Sequence, residues 1–242
     1  MNSLFLDICA DDYKPGQVRT LNDRCGNYQP YIFTGGQLFV NEQGFYSQYN
    51  SAGTGIAVDN LLKLSQFYAT PNLAVIAVVR TPKENVSLTG TSNGKIQTIW
   101  HSKNSNTAFY YLAPLFAIIC TNNGRVGLGN ILPVGNNIIP YINDEIYIFA
   151  VTNQKEKDFI VGVKTEIYTR HGCSTIITNK LEAQVGSMPF NALDTITQHY
   201  PSTLVFGCRT LATDSMFMGN IKRCGIYPYS KIQEFKKLYL GK

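Results

Sequence analysis

The feature that most constrains this chain is a rhythm of short apolar, β-branched runs broken by turns built from Asn and Gly. The run Leu73-Ala-Val-Ile-Ala-Val-Val-Arg80 is apolar at odd and even positions alike and stops at Thr81-Pro82. A strand with two apolar faces belongs inside a sandwich, where both faces are covered. Further strand candidates are 96–102, 109–112, 115–121, 125–129, 145–152, 159–169, 203–209 and 217–227. Between them stand Asn93-Gly94, Asn122-Asn123-Gly124, Gly135-Asn136-Asn137 and Asn143-Asp144. Gly and Asn accept the positive φ that tight hairpin connections require. The sharpest hairpin joins Ile118-Ile119-Cys120-Thr121 to Arg125-Val126-Gly127-Leu128 through Asn123-Gly124. Many short strands with frequent turns predict an all-β, antiparallel β-sandwich.

Helix is scarce. Ser230 and Gln233 have the spacing of a capping box, followed by Ile232, Phe235, Leu238 and Tyr239 as an apolar stripe, with Lys236 and Lys237 toward water. A weaker helical pattern covers 58–67, with Asp59 as its cap. With 242 residues, 44% of them hydrophobic, the chain buries roughly three quarters of its unfolded surface and needs no disulfide framework. Charged residues are only 15%, which excludes a disordered chain. No linker or repeat interrupts it, so one domain is expected over 1–242, with 1–30 as an arm or a first strand and 180–202 as a long loop.

The longest apolar stretches, 73–79 and 115–120, fall far short of the ~20 residues of a membrane-spanning helix. The net charge of +5 is mild, and the one dense basic cluster, Lys231, Lys236, Lys237 and Lys242, reads as a solvated helix face. No nucleic-acid partner is expected. Met1-Asn-Ser-Leu-Phe-Leu-Asp7 lacks a basic n-region, so no secretion signal is expected and the six cysteines read as reduced thiols. They include no C-x-x-C pair, although Cys208 and Cys224 sit in consecutive strand candidates that would let them face each other. His101, His171 and His199 lie too far apart for metal-ligand spacing.

The last quarter carries a family likeness. Leu204-Val-Phe-Gly-Cys208, Phe217-Met-Gly-Asn-Ile221, Gly225-Ile-Tyr227 and the helix ending Leu238-Tyr239 follow in order. Upstream, Asp23-Arg-Cys-Gly-Asn27 is similar to a "D-x-S-G-N" turn with Cys25 in the place of Ser, and 73–81, 98–103, 145–152 and 159–163 match further strands in order and spacing. Together these resemble the laminin-G-like branch of the concanavalin A-like lectin/glucanase superfamily. The resemblance implies a jelly-roll sandwich of two antiparallel sheets, of the kind found in bacteriophage tail, fibre and decoration proteins and in adhesion proteins.

Since the superfamily includes glycosidases and lyases, catalysis needs its own test. A retaining glycosidase requires two carboxylates ~5 Å apart, one of them protonated. The "E-x-D-x-x-E" strand pattern of β-glucanases is absent, and Glu156 and Asp158 lie in what reads as a solvated hairpin tip. Nor is there a P-loop or a dinucleotide fingerprint. A lyase would need a Tyr or His base with Arg or Gln beside it, which 15 tyrosines make easy by chance. Asp7, Asp11, Asp12 and Asp23 are calcium-capable carboxylates, but no loop concentrates enough oxygen ligands, so neither metal nor cofactor is expected.

Binding is the expected use of the surface. Sugars stack on aromatic rings and take hydrogen bonds from amides and Arg, so Trp100, His101, Tyr110, Tyr111 and Arg125 are the candidate groove. A lone Trp in an all-β chain also serves core packing, and that reading stands beside the first. The expectation is a non-enzymatic, lectin-like phage virion protein made without a signal peptide. Its partners would be host-surface polysaccharide or neighbouring virion proteins, and its form a homo-oligomer. The alternatives are a polysaccharide-degrading enzyme of the same fold and a purely structural decoration protein.

Overall fold

A computed structural model describes residues 5–34, 36–47, 54–61, 73–80, 96–104, 118–121, 126–128, 145–156, 159–169, 172–179, 202–208, 217–228 and 230–241. Its strands are β1 (Leu6–Cys9), β2 (Gly16–Val18), β3 (Tyr31–Thr34), β4 (Leu38–Asn41), β5 (Gly44–Ser47), β6 (Thr54–Leu61), β7 (Leu73–Arg80), β8 (Ile96–Asn104) and β9 (Ile118–Thr121). They continue with β10 (Val126–Leu128), β11 (Glu145–Glu156), β12 (Phe159–Thr169), β13 (Gly172–Asn179), β14 (Ser202–Phe206) and β15 (Asn220–Pro228), and α1 (Ser230–Leu240) follows. Among the described residues, nine strands form one sheet in the order β13-β12-β11-β7-β15-β5-β4-β2, with β1 also on β15. Six form the other, β10-β9-β8-β14-β6-β3. Every strand pairing among the described residues is antiparallel. The all-β, antiparallel sandwich with a short C-terminal helix is what the sequence predicts.

The two sheets meet through side chains that alternate along their strands. Leu38 and Phe45 from the larger sheet, with Ile221, face Ile56 and Phe206 from the smaller one across a small cavity. The doubly apolar run 73–80 earns its composition in the same way. Ala74, Ile76 and Val78 cluster with Ile232 and Phe235 of α1, while the alternate residues Val75, Ala77 and Val79 are buried on the other side. The hairpin read around Asn123-Gly124 appears as the β9–β10 pair, Cys120 opposite Val126.

Several expectations are corrected. Residues 58–61 are strand, not helix; β6 is clamped between β3 and β14, and Asp59 accepts a 3.0 Å hydrogen bond from the Tyr31 hydroxyl instead of capping a helix. β11 runs on to Glu156, which pairs with Phe159, so most of the supposed tip is ladder. Of the two readings of 1–30, an arm or a first strand, the described residues hold the strand, β1, whose four residues are buried. Leu238 is 66% exposed, and the buried stripe of α1 is Ile232 and Phe235 with Tyr239 and Leu240 packed beside it. Cys208 and Cys224 do not face each other. Cys208 clusters with Ala57 and Val205, whose neighbours Ile56 and Phe206 line the cavity between the sheets, whereas Cys224 lies on β15; both are free thiols. The stretches 109–112 and 180–201 lie outside the described residues.

Candidate functional site

A β-bulge in the last strand organises the best-defined polar constellation among the described residues. Ile221 stands opposite Val79 and Arg223 opposite Val78, so Lys222 is an extra residue in the ladder. The extra residue reverses the phase of the strand. Ile221 is turned toward the sandwich interior, and Arg223 and Tyr227 toward α1. Lys222 itself pairs with Asp11 and donates a 3.1 Å hydrogen bond to the Glu42 carbonyl.

β1 lies antiparallel on that strand with Asp7 opposite Gly225. The Asp7 carboxylate accepts hydrogen bonds from Arg223 Nη2 at 2.6 Å, Arg223 Nε at 2.9 Å and the Tyr227 hydroxyl at 2.6 Å. Arg223 Nη1 donates to the Tyr239 hydroxyl at 3.4 Å, and the guanidinium lies 4.6 Å from the Phe235 ring centroid. Phe235 meets Tyr227 edge-on at 4.5 Å and stacks with Tyr239 at 6.2 Å. The first strand, the last strand and the helix are thereby joined by one charged, aromatic-walled clasp. Gly225 is required in it, because a Cβ there would run into the Leu6 carbonyl.

The turn at 23–28 braces the same strand. The Asp23 carboxylate accepts the backbone N–H groups of Asp7 and Cys25 at 2.9 Å, Asn27 at 2.9 Å and Tyr28 at 3.1 Å. Gly26 takes a φ of 68°, and the Asn27 amide donates to the Phe5 carbonyl at 2.9 Å. Cys25 offers this turn only its N–H and is exposed, so Cys in the place of Ser leaves the turn intact. Beside it, Arg24 forks onto Asp12 at 2.6 and 2.7 Å.

The electrostatics of these groups are those of a brace. The Arg24 hydrogen bond holds the Asp12 carboxyl below its ordinary range, the reverse of what a general acid needs. Burial raises the Cys9 and Cys224 thiols and pushes Cys208 up to about 12, so each stays protonated at neutral pH and none is a ready nucleophile. Burial, reinforced by Asp7, raises the Tyr227 hydroxyl. Among the described residues no group of three or more His, Cys, Asp or Glu is placed to hold a metal ion, and no helix is long and apolar enough to cross a membrane. In the sequence, Asp7 is the single acid that interrupts the apolar run Leu4-Phe-Leu-Asp-Ile8. The signal that would have found the clasp was that lone Asp, paired with the lone Arg in Ile221-Lys-Arg-Cys-Gly-Ile-Tyr227.

Of the five candidate sugar-contact residues, Trp100 and His101 lie on β8, a central strand of the smaller sheet. Trp100 stands opposite Phe206 on one side and Ile118 on the other, and His101 opposite Val205. Tyr110, Tyr111 and Arg125 lie outside the described residues. The segments that carry them join neighbouring strands: 105–117 leads from Asn104 to Ile118, and 122–125 from Thr121 to Val126. The first connection leaves the Asn104 end of β8, the second leaves β9 at Thr121, opposite Ile96 at the other end of β8, and Trp100 stands between those ends.

No known family model matches the chain, and no curated protein matches its sequence. Solved structures similar to it in fold include two binding domains. One is the receptor-binding domain of botulinum neurotoxin type G, 17% identical with a TM-score of 0.47, over 96% of this chain and 50% of that one. The other is the binding domain of botulinum neurotoxin DC in complex with SialylT, 14% identical with a TM-score of 0.52, over 97% of this chain and 51% of that one. The chain thus spans about half the length of each. At this identity the second likeness shows a shared β-rich architecture.

Proposed function

We propose that this chain is a non-enzymatic, lectin-like binding module, with residues 1–242 acting as one unit that recognises a surface glycan. The observation that carries the reading is the antiparallel two-sheet sandwich, an architecture in common with a binding domain solved in complex with SialylT. The polar contacts agree with it: the Asp7 and Asp12 carboxylates are engaged by Arg223 and Arg24, and the Cys208 and Cys224 thiols are buried. Trp100, His101, Tyr110, Tyr111 and Arg125 are the proposed contacts, carried by β8 and the connections around it. The biological setting we propose is a phage particle, at the tail or capsid surface, with host polysaccharide as ligand and neighbouring virion proteins or further copies of the chain as scaffold.

The test is a panel of immobilised glycans, sialylated structures and bacterial surface polysaccharides included, probed with the natural chain and with Trp100→Ala and Arg125→Ala. Saturable binding that the substitutions reduce at least tenfold is expected. Release of new reducing or unsaturated ends from the same polysaccharides would replace binding with degradation as the function.

A further inference from the structure

The cavity between the two sheets holds an unanswered pair of hydroxyl groups. Ser47 ends β5 in the larger sheet and Thr54 begins β6 in the smaller, and both line this space with Phe45, Ile56 and Phe206. Ser47 is 8% exposed and Thr54 1%, yet among the described residues neither Oγ of Ser47 nor Oγ1 of Thr54 has a hydrogen-bond partner, each other included. Alternation explains their direction. Phe45 and Ser47 share one face of β5, and Thr54 and Ile56 share one face of β6, so the hydroxyls are carried inward with the core aromatics. Buried polar groups in folded proteins are almost always satisfied, and an orphaned pair facing one space is a demand for a partner.

The dimensions of the space select that partner. About 10 Å³ is open to the centre of a water molecule, which is enough room for a water. Each hydroxyl both donates and accepts, and so does water, so a single molecule satisfies both residues at once. We propose that an integral water sits between Ser47 and Thr54 and links the nine-stranded sheet to the six-stranded one. It is a structural ligand of the sandwich, independent of any sugar site.

Oxygen-17 relaxation dispersion of the water signal, which reports long-lived internal waters, tests this on the full chain. The near-isosteric Thr54→Val and the double variant Ser47→Ala/Thr54→Val are each expected to show one fewer long-lived water than the natural chain. Thr54→Val is also expected to lower the thermal midpoint, because the water loses a partner. An unchanged count of long-lived waters, with a midpoint equal to or above that of the natural chain, would overturn the proposal. In that case the hydroxyl is simply unpaired, and removing it relieves the fold.

Discussion

The carboxylate of Asp7 and the guanidinium of Arg223 meet through two hydrogen bonds of 2.9 and 2.6 Å across a sequence separation of 216 residues. Both side chains are largely buried, at 9% and 12% exposed, so this pair closes the larger sheet onto its helix in a region poorly screened by water. Removing one partner strands the other. Asp7→Ala is expected to destabilise the chain by about 3–5 kcal/mol, while the apolar double replacement Asp7→Leu/Arg223→Met costs markedly less. Urea denaturation of the three proteins checks this, and equal losses for the single and double variants would contradict it.

Deletion of Lys222 tests the bulge. Without Lys222, Ile221 and Arg223 become consecutive opposite Val79 and Val78, and consecutive strand residues point to opposite faces, so Arg223 stays toward α1. The expected outcome is a cooperatively unfolding chain that keeps the Asp7–Arg223 bond and, like Lys222→Ala, loses about 1 kcal/mol or less, since the ion pair of Lys222 with Asp11 is partly exposed. A deletion variant that loses cooperative unfolding would show that the bulge itself is needed to place Arg223.

The helix offers a paired contrast. Phe235→Ala removes a buried ring that touches Tyr227, Tyr239 and Arg223, and is expected to cost about 3–5 kcal/mol. Leu238→Lys, three residues on, is expected to stay within about 0.5 kcal/mol of the natural chain. Thermal or urea unfolding distinguishes the two directly.

Stability has a defined pH limb. Burial raises Cys208 to about 12 from 9.0 and Cys224 well above the ordinary thiol value, so the folded chain holds these protons more tightly than the unfolded one. That contribution is fully present below the unfolded thiol pKa and is lost as pH rises toward the folded values. The expected slope above pH ~9 is about 1.4 kcal/mol per pH unit for each thiol, and Cys208→Ala is expected to flatten it. Asp12 acts with the opposite sign: its lowered carboxyl stabilises above the unfolded carboxyl pKa and stops doing so as pH falls through the folded one. Because Asp12 and Arg24 are each about a third exposed, that contribution is about 1 kcal/mol or less.

Much of the architecture was legible because it is written in period. The run 73–80 showed two apolar faces, and two faces are what β7 buries, one toward the sandwich and one under α1. What was not legible breaks period or depends on distant partners. Leu238 sits about 240° around the helix from Ile232, outside the stripe that Phe235 and Tyr239 continue, so apolarity alone misplaced it. The pattern at 58–67 carried local helical spacing, but pairing on both edges of β6 overrides local preference. The bulge at Lys222 leaves no local trace, and the Asp7–Arg223 bond leaves only a lone acid and a lone Arg in two apolar runs, since each feature is completed by a strand elsewhere in the chain. As for the candidate sugar contacts, chain order shows only that Trp100 and His101 share β8 with flanking connections that carry the other three.

Amide chemical-shift mapping during titration with the tightest glycan from the panel tests the functional account most directly. Saturable shifts concentrated on β8–β10 and the connections that carry Tyr110, Tyr111 and Arg125 are the predicted result. A folded chain that shows no saturable shift with any glycan, or shifts confined to the far edge of the nine-stranded sheet, would contradict it.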